Sequence, residues 1–226
     1  MADAARQNLI LTRLSRDDRT LLEPRLEPVD LPLRKVLEQA NKPIKAIYFP
    51  ESGFASVVVN TGKPIEVGLI GYEGMTGLSV VLGHDCNANE TYVQAAGQGH
   101  CIRANDLRAA IEASRTLHLS LLRYAHAFLN QTTRTAVANG RSKIEERLAR
   151  WLLMAHDRVR SPELPLTHEF LAMMLAVRRP GVTVAIQHLE REGVVARRRG
   201  RIVICNREKL EKLANGTYVT ADYAEH

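Results

Sequence analysis

The chain has 226 residues, with 45% hydrophobic and 25% charged side chains, a composition that excludes disordered and fibrous classes and predicts two domains with cores of their own. The N-terminus lacks the apolar core of a signal peptide, no stretch approaches the ~20 apolar residues that span a membrane, and the three cysteines are scattered, so we expect a cytoplasmic protein without membrane contact. The net charge is +6, and residues 141–226 supply +5 of it, with 16 Lys and Arg against 11 Asp and Glu. A basic segment is typical of nucleic-acid-binding proteins, although binding to anionic membranes or solubility alone would also account for it.

Short segments of high β-propensity fill the region from Val29 to Arg103. They are KAIYF, ASVVVN, IEVGLI, TYVQAA and HCIRA, and Gly, Pro, Asn and Asp separate them. Closing such a sheet on itself removes its exposed edges, so the pattern predicts an antiparallel barrel or jelly roll. A short amphipathic helical lead-in from Leu9 to Leu22 precedes it. Residues 1–116 together form the predicted β-roll domain.

A long helix is predicted from Leu117 to Ala138, where the sequence has no Gly or Pro, after a shorter helix, DLRAAIEA, with Asn105 as its N-cap. On one face of the long helix, residues recur in alternating steps of four and three, which is the spacing of a coiled-coil seam. These residues are Leu117, Leu121, Tyr124, Phe128, Gln131, Thr135 and Ala138. We expect residues 117–140 to be the dimerisation helix of a homodimer. The alternative is a helix that packs only on its own β-domain.

Asn139 and Gly140 are predicted to end the long helix. Ser142, followed by Glu145 and Glu146, resembles a capping box that begins a second helix, which ends near Val159. Apolar residues of this second helix fall on one face and are expected to anchor the core of the C-terminal domain, residues 141–226. They are Ile144, Leu148, Trp151, Leu152 and Ala155.

Two helices joined by a tight turn, a helix-turn-helix, are predicted between Leu166 and Glu192. Thr167 is the N-cap candidate of the first helix, Val177 and Arg178 make the turn, Pro180 lies in the first turn of the second helix, and Gly193 ends it. The second helix has a packing face, formed by Val182, Ala185, Ile186 and Leu189. Its outward face is formed by Arg179, Pro180, Thr183, Val184 and Gln187. This arrangement is typical of a helix that enters the DNA major groove.

The outward face carries side chains that can recognise base edges. Arg179 can make a bidentate contact to guanine, Gln187 can reach bases or phosphate, and Thr183 or Val184 can touch a thymine methyl group. Beyond Gly193, the segments VVA and RIVIC predict a β-hairpin wing with a basic turn. We expect its arginines to bind phosphates without discriminating sequence, the alternative for each being an ordinary solvated charge. The wing arginines are Arg197, Arg198, Arg199 and Arg201.

In order and length, these elements resemble the Crp/Fnr family of bacterial transcription regulators over nearly the whole chain. The stretches YFPESG, from Tyr48 to Gly53, and GYEGMTGLSVVLG, from Gly71 to Gly83, are similar to that family's β-roll, and Leu166 to Glu190 aligns without gaps. The resemblance implies an α+β fold with an N-terminal β-roll, a long dimerisation helix and a C-terminal winged helix-turn-helix. It implies double-stranded DNA as the partner of a homodimer, and RNA polymerase as a further partner of an activator.

The resemblance also implies roles for single residues. Thr167 and His168 approach phosphates, and the residues from Arg178 to Gln187, Gly181 among them, form the reading face. The best-known members read DNA with an Arg-Glu pair followed by a second Arg. Here Pro180 follows Arg179, and Val184 stands where the later Arg would fall. We therefore expect a different target site, with less direct hydrogen-bond readout from this helix.

Cyclic-nucleotide binders of the family use a Gly-Glu pair for the ribose and an Arg-Ser or Arg-Thr pair for the cyclic phosphate. The corresponding region here has no arginine, and Glu90 would repel a bound phosphate by about 1 kcal/mol or more. We therefore expect no control by cyclic AMP. The candidate effector pocket comprises Glu73, Gly74, Met75, Thr76, Asn89, Glu90 and Thr91.

No cofactor or metal is predicted, and the effector is unknown. The chain has no cysteine before Cys86, whereas iron-sulfur members of the family hold clustered cysteines near the N-terminus. One alternative is a regulator of the same fold that responds to a cyclic nucleotide or another small molecule, and a second is a constitutive regulator controlled by its own abundance or by another protein. A distant alternative is a cupin-like metal enzyme, but His84 and His100 lack the close spacing of two ligands on one strand. We expect no enzymatic activity.

Overall fold

The computed structural model describes residues 7–60, 62, 64–159 and 161–220, so the ends of the predicted β-roll domain, before residue 7, and of the C-terminal domain, after residue 220, lie outside it. The chain divides into two compact units. Among the described residues, the first unit comprises residues 7–58 and 69–130, and the second comprises residues 59–68 and 131–220. Within the described residues, no helix combines the length and the apolar character that crossing a membrane requires.

Two short helices begin the described chain, α1 (Leu9–Thr12) and α2 (Arg16–Leu22), followed by a 3₁₀ turn at Glu23–Arg25. Seven strands follow: β1 (Glu27–Leu31), β2 (Val36–Glu38), β3 (Ala46–Pro50), β4 (Phe54–Asn60), β5 (Pro64–Ile70), β6 (Glu90–Ala95) and β7 (Gly97–Arg103). They form two sheets, with strand orders β1-β7-β3 and β2-β6-β4-β5. The helix α3 (Leu78–Val81) lies between β5 and β6 in sequence, and α4 (Ala104–Ala113) and α5 (Arg115–Arg141) follow β7.

The first unit has a hydrophobic core that helices and strands share. Its fully buried side chains include Leu22, Ile47, Phe49, Met75, Ile102, Leu107, Leu117 and Leu121. Asn8, itself buried, fastens the first helix to this core: its Oδ1 accepts from the Ile10 amide, and its Nδ2 donates to the carbonyls of Pro50 at 2.9 Å and Gly74 at 2.7 Å. One side chain therefore caps α1 and joins it to the end of β3 and to the loop that contains Gly74.

The second unit contains the helices α6 (Ile144–Arg158), α7 (His168–Met174), α8 (Arg179–Arg191) and α9 (Arg207–Leu213). Its strands are β8 (Glu163–Leu164), β9 (Val195–Arg198) and β10 (Arg201–Ile204), in the sheet order β8-β10-β9. Helix α6 packs against α8 and α9, and α7 packs against α8. The predicted fold class is confirmed: antiparallel sheets precede a long helix and a C-terminal helix-turn-helix with a wing.

The boundaries of several elements differ from the prediction. Helix α5 continues through Asn139 and Gly140 to Arg141, so the predicted helix end was wrong. Both residues are exposed, where a glycine costs only about 1 kcal/mol relative to alanine and does not by itself end a helix. The N-cap of α6 is Lys143 and not Ser142, and the Lys143 amide donates to the Glu146 carboxylate at 3.0 Å.

Other differences concern short elements. The predicted lead-in is two helices, and Asn105 lies inside α4, because Arg103 is the N-cap of that helix. The strands β1, β2 and β8 were not predicted. Strand β8 has two residues and β2 has three, too few to show an alternating pattern.

The face of α5 predicted as a dimer seam is turned towards the chain's own interior. Leu117, Leu121 and Tyr124 belong to the core of the first unit, and Phe128 packs against that core. The Tyr124 ring lies so close to Gly74 that a Cβ atom there would collide with it. Leu117, Leu121 and Tyr124 are therefore not available to a second subunit, and the seam prediction is corrected at these three positions, whereas Phe128 is only half-buried. The spacing identified an apolar face without specifying which surface covers it.

The remaining seam residues lie in the second unit and are also engaged within the chain. Gln131 is buried, and its carbonyl accepts from Arg150 Nη2. The same Nη2 donates to Thr135 Oγ1 at 3.1 Å. Ala138 is buried as well. In each unit, the predicted stripe thus makes contacts within that unit, although Phe128 and Thr135 are only half-buried.

Asp18 is a buried carboxylate that joins α2 to the start of α5. It accepts hydrogen bonds from Ser15 at 2.7 Å, from Thr116 at 3.0 Å and from Ser114. Burial raises the pKa of the carboxyl, but the hydrogen bonds from Ser114, Ser15 and Thr116 outweigh it, so the net pKa lies below its usual 3.8. A carboxyl with a lowered pKa in the folded state stabilises the fold at pH above its usual pKa, and this contribution disappears as the pH falls through the lowered value.

Asp18→Asn should lower the free energy of unfolding by about 1–3 kcal/mol at pH ~7, because three hydrogen bonds lose their charged acceptor. The difference between variant and wild type should shrink as the pH falls below the usual carboxyl pKa. Urea unfolding of the full chain across this acidic range measures both. Asp17→Asn, at the exposed neighbouring carboxylate, is the matched control and should change little. A constant difference at all pH values would contradict the assigned pKa direction.

Candidate nucleic-acid interface

Local hydrogen bonds set the start and the end of α7, the first helix of the pair. Thr167 is its N-cap, as predicted, and the Thr167 Oγ1 accepts from the Phe170 amide at 3.2 Å. The helix ends at Met174, and Ala176 then takes a left-handed conformation with φ of 51°. The turn is closed by the Val177 amide, which donates to the Ala172 carbonyl. The turn therefore comprises residues 175–178, which include the predicted Val177 and Arg178.

The second helix, α8, has Arg178 as its N-cap and Pro180 in its first turn, where proline's missing N–H leaves no hydrogen bond unmade. Its predicted packing face is confirmed, since Val182, Ala185, Ile186 and Leu189 are fully buried and α8 packs on α6. A Cβ atom at Gly181 would lie 3.2 Å from Ile144 Cδ1, which is tighter than ordinary contact. The glycine thus allows the start of α8 to approach α6 closely.

The opposite face of α8 is open to solvent. Arg179, Pro180, Val184 and Gln187 are exposed, and the Val184 side chain keeps 55% of its surface accessible. Thr183 is half-buried between them. All five lie in the first nine residues of the helix, the part that meets base edges when such a helix enters the major groove.

His168 connects the two helices through a hydrogen bond. Its Nδ1 lies 3.0 Å from Thr183 Oγ1, whose hydroxyl donates to the Arg179 carbonyl at 3.2 Å. Because the single hydroxyl hydrogen is used in that way, the histidine nitrogen is the donor and its Nε2 is left for another partner. Burial, together with the charges of Arg197 and Arg179, lowers the His168 pKa below its usual 6.5. The ring is therefore neutral at neutral pH, which suits a donor that fixes a helix start.

The wing forms as predicted, with β9 and β10 joined at Arg199 and Gly200, but three of its four arginines are in ion pairs. Glu163 of β8 accepts from Arg198 Nη1 at 2.6 Å and from Arg201 Nη1 at 2.9 Å. Glu190 of α8 contacts Arg197 Nε at 2.7 Å. Arg199 is exposed and forms no ion pair with any residue that the structure describes.

Most residues of the candidate effector pocket are buried in this structure. Gly71 to Gly77 are all buried, and the Glu73 carboxylate accepts from the Gly71 amide at 3.2 Å. The carboxylate of Glu38, also buried, accepts from the Thr91 hydroxyl at 2.6 Å and from the Gly77 amide. Two donors that an anion could use in this region are therefore engaged by a carboxylate of the protein. The remaining predicted pocket residues, Asn89 and Glu90, are half-buried at the start of β6.

Sequence patterns missed Glu38, Glu163 and Glu190. Glu163 lies 35 positions before Arg198, and Glu38 lies 53 positions before Thr91. No local spacing marks such pairs, because sheet pairing and helix packing bring them together. Among the described residues, no group of three or more His, Cys, Asp or Glu side chains is arranged to hold a metal ion.

Comparison with known proteins places the helix-turn-helix in a family. Residues 146–213 match the Crp-like helix-turn-helix domain. A sequence comparison with curated proteins finds no match.

Solved structures are similar over most of the chain. A structure described as a transcriptional regulator of the Crp/Fnr family from Eubacterium rectale superposes with a TM-score of 0.72 at 17% identity, covering 92% of this chain and 98% of that one. FixK2 from Bradyrhizobium japonicum gives a TM-score of 0.69 at 16% identity, covering 83% and 96%. A CRP-family regulator from Thermus thermophilus gives 0.68 at 17% identity, covering 87% and 100%. At such low identity these similarities establish the fold.

Proposed function

We propose that the chain is a DNA-binding transcription regulator of the Crp/Fnr type and that it binds a palindromic operator as a homodimer. The Crp-like helix-turn-helix at residues 146–213 and the similarity of the fold to Crp/Fnr regulators support this proposal. The proposal rests on the exposed N-terminal face of α8, whose opposite face is fully buried. A two-fold dimer presents two such helices to half-sites about one helical turn apart. We place this activity in the cytoplasm, where an activator would also meet RNA polymerase.

We assign direct base recognition mainly to Arg179. It is exposed in the first turn of α8 and can contact the O6 and N7 atoms of one guanine. Pro180 and Val184 offer no hydrogen-bond donor to a base, so Thr183 and Gln187 are the other polar candidates. The remaining affinity comes from phosphate contacts, for which we propose Thr167, His168, Arg178 and the wing arginines, and from DNA shape.

Selection from a randomised duplex pool with the purified protein tests the proposed function. We expect a palindrome with half-sites about one helical turn apart. Recovery of no palindrome would contradict it.

Arg179→Ala should weaken binding to the selected operator by roughly 1–3 kcal/mol and relax the base choice at one position of each half-site. Arg199→Ala is the comparison, because this exposed wing arginine is expected to contact phosphate and should weaken all duplexes alike. Titrations against the operator and against single-base variants measure both effects. Equal, sequence-independent losses in the two variants would contradict the division between a reading helix and a phosphate-binding wing.

We propose that the dimer forms through the outer face of α5, opposite the buried face. Leu119 and Leu129 are large apolar residues with 42% and 61% of their surface exposed. With the exposed His126, and with Leu122, which is half-buried because it also packs against the core of the first unit, they form an outer stripe in steps of three and four. This stripe fits a coiled coil with the same stripe of a second copy.

Leu129→Asp should convert the dimer to a monomer, because the coiled-coil contact would bury a charge. Sedimentation equilibrium measures the change in mass. Arg134→Asp introduces the same side chain on an exposed position of α5 off the outer stripe and should leave the dimer intact. A Leu129→Asp dimer as tight as that of the wild type would place the interface elsewhere.

We further propose that cyclic AMP does not control this regulator. The supporting observations are the absent arginine, Glu90 in the phosphate region, and the engagement of Thr91 and Gly77 by Glu38. The chain is either constitutive or responds to a different small molecule.

Millimolar cyclic AMP should leave the unfolding temperature unchanged, because a ligand raises it only if it binds the folded state. Differential scanning fluorimetry over a nucleotide titration measures this. A rise in unfolding temperature that grows with nucleotide concentration would contradict the proposal.

A further inference from the structure

We propose that Glu163 competes with DNA phosphate for the wing arginines Arg198 and Arg201, and so restrains sequence-independent DNA binding. The inference rests on the proposed function and adds a specificity-determining residue to it. No feature of the helix-turn-helix pattern includes Glu163, since it lies in β8, before α7 begins.

Sheet geometry places this carboxylate between the two arginines. Strand β8 pairs with β10, where Glu163 faces Val203, and β10 pairs with β9, where Arg201 faces Arg198. Each carboxylate oxygen takes one arginine: Oε1 lies 2.6 Å from Arg198 Nη1, and Oε2 lies 2.9 Å from Arg201 Nη1. One acidic side chain on the edge strand β8 thus contacts two wing arginines, one on β10 and one on β9.

The exposure of the three side chains makes the contact one that DNA can replace. The arginine side chains are 67% and 58% exposed, while that of Glu163 is 25% exposed. Exposed ion pairs contribute little stability, because water and salt screen them. A phosphate carries the same kind of charged oxygens and can take over the outward N–H groups of both arginines.

The carboxylate changes the electrostatics of sequence-independent binding. Two free arginines would bring a charge of +2 to the DNA backbone, whereas the arginines with Glu163 bring +1. Sequence-independent affinity comes almost wholly from protein cations that displace counterions from the DNA. Lowering the charge of the wing therefore lowers this affinity directly. In the operator complex, the base contacts of α8 fix the wing against one stretch of backbone, so arginines that Glu163 already orients lose less conformational freedom there. A sequence-independent complex has no fixed register and gains nothing from that orientation. Glu163 therefore lowers sequence-independent affinity more than operator affinity.

A second pair of the same kind lies beside it. Glu190 of α8 contacts Arg197 Nε at 2.7 Å and accepts from the Arg197 backbone amide at 3.0 Å. This carboxylate also fixes the start of the wing through the backbone, so its removal would disturb structure and charge together. Glu163 makes only side-chain contacts with the arginines and is the cleaner position to change.

The test compares Glu163→Gln with wild type on the selected operator and on a random-sequence duplex over a range of salt concentrations. For the random duplex we expect an affinity gain of about 3- to 10-fold and a salt dependence steeper by about one unit of slope, as one added cation contact predicts. The operator affinity should rise less, so that the ratio of operator to random affinity falls. Glu112→Gln, at an exposed carboxylate of α4, removes the same formal charge and should not reproduce the gain.

A double-mutant cycle separates competition from a general charge effect. In an Arg198→Ala/Arg201→Ala background, Glu163→Gln should give no gain, because the arginines that it releases are absent. The same gain in that background, or in Glu112→Gln, would overturn the inference. An unchanged salt and affinity profile of Glu163→Gln would also overturn it. So would an equal loss of operator and random-duplex affinity in a Glu163→Gln protein that unfolds at the wild-type temperature. Failure of the wild type to bind any duplex would instead remove the proposed function, on which this inference rests.

Discussion

The burial of one face of α8 on α6 is the contact on which the proposed DNA-binding surface depends. Val182, Ile186 and Leu189 have no exposed surface, and burying side chains of this size contributes roughly 1.5–3 kcal/mol each. An α-helix has 3.6 residues per turn, so fixing this face also fixes the direction of the opposite one. Arg179 and Gln187 point outward as a consequence. The hydrogen bond from His168 to Thr183 then holds the first turn of α8 against α7.

At the wing of the second unit, acidic and basic side chains are more evenly balanced than the composition of residues 141–226 indicates. An excess of basic residues predicts attraction to DNA, but it does not show which cations are free to contact phosphate. Glu163 and Glu190 engage three of the four wing arginines, and Arg199 at the turn is left exposed. The wing is therefore an arrangement of oriented arginines with nearby acidic competitors. Such an arrangement favours DNA that also offers base contacts to α8.

In the first unit, several residues of the predicted effector region make contacts within the protein. Glu38 accepts hydrogen bonds from Thr91 and Gly77, and Tyr124 of the long helix packs on Gly74. Of the region predicted as an effector pocket from the family resemblance, Met75 thus belongs to the core and Gly74 lies against α5, whereas Asn89 and Glu90 are half-buried. The residues of the pocket could be located from sequence, because the motif surrounding them is local. The hydrogen bonds from Thr91 and Gly77 to Glu38 could not be predicted, because that carboxylate belongs to a strand that is distant in the sequence.

The sequence by itself determined the order of elements, the winged helix-turn-helix, its N-cap at Thr167 and the packing face of α8. These depend on periodicity, capping and turn residues within a few positions of one another, which are local effects. Only the tertiary structure decided which side of α5 is covered and which carboxylates accompany the arginines. Both sides of α5 carry apolar residues in steps of three and four, and the core of the first unit covers one of them. Ion pairs such as Glu163 with Arg198 form across a sheet, where spacing along the chain carries no information.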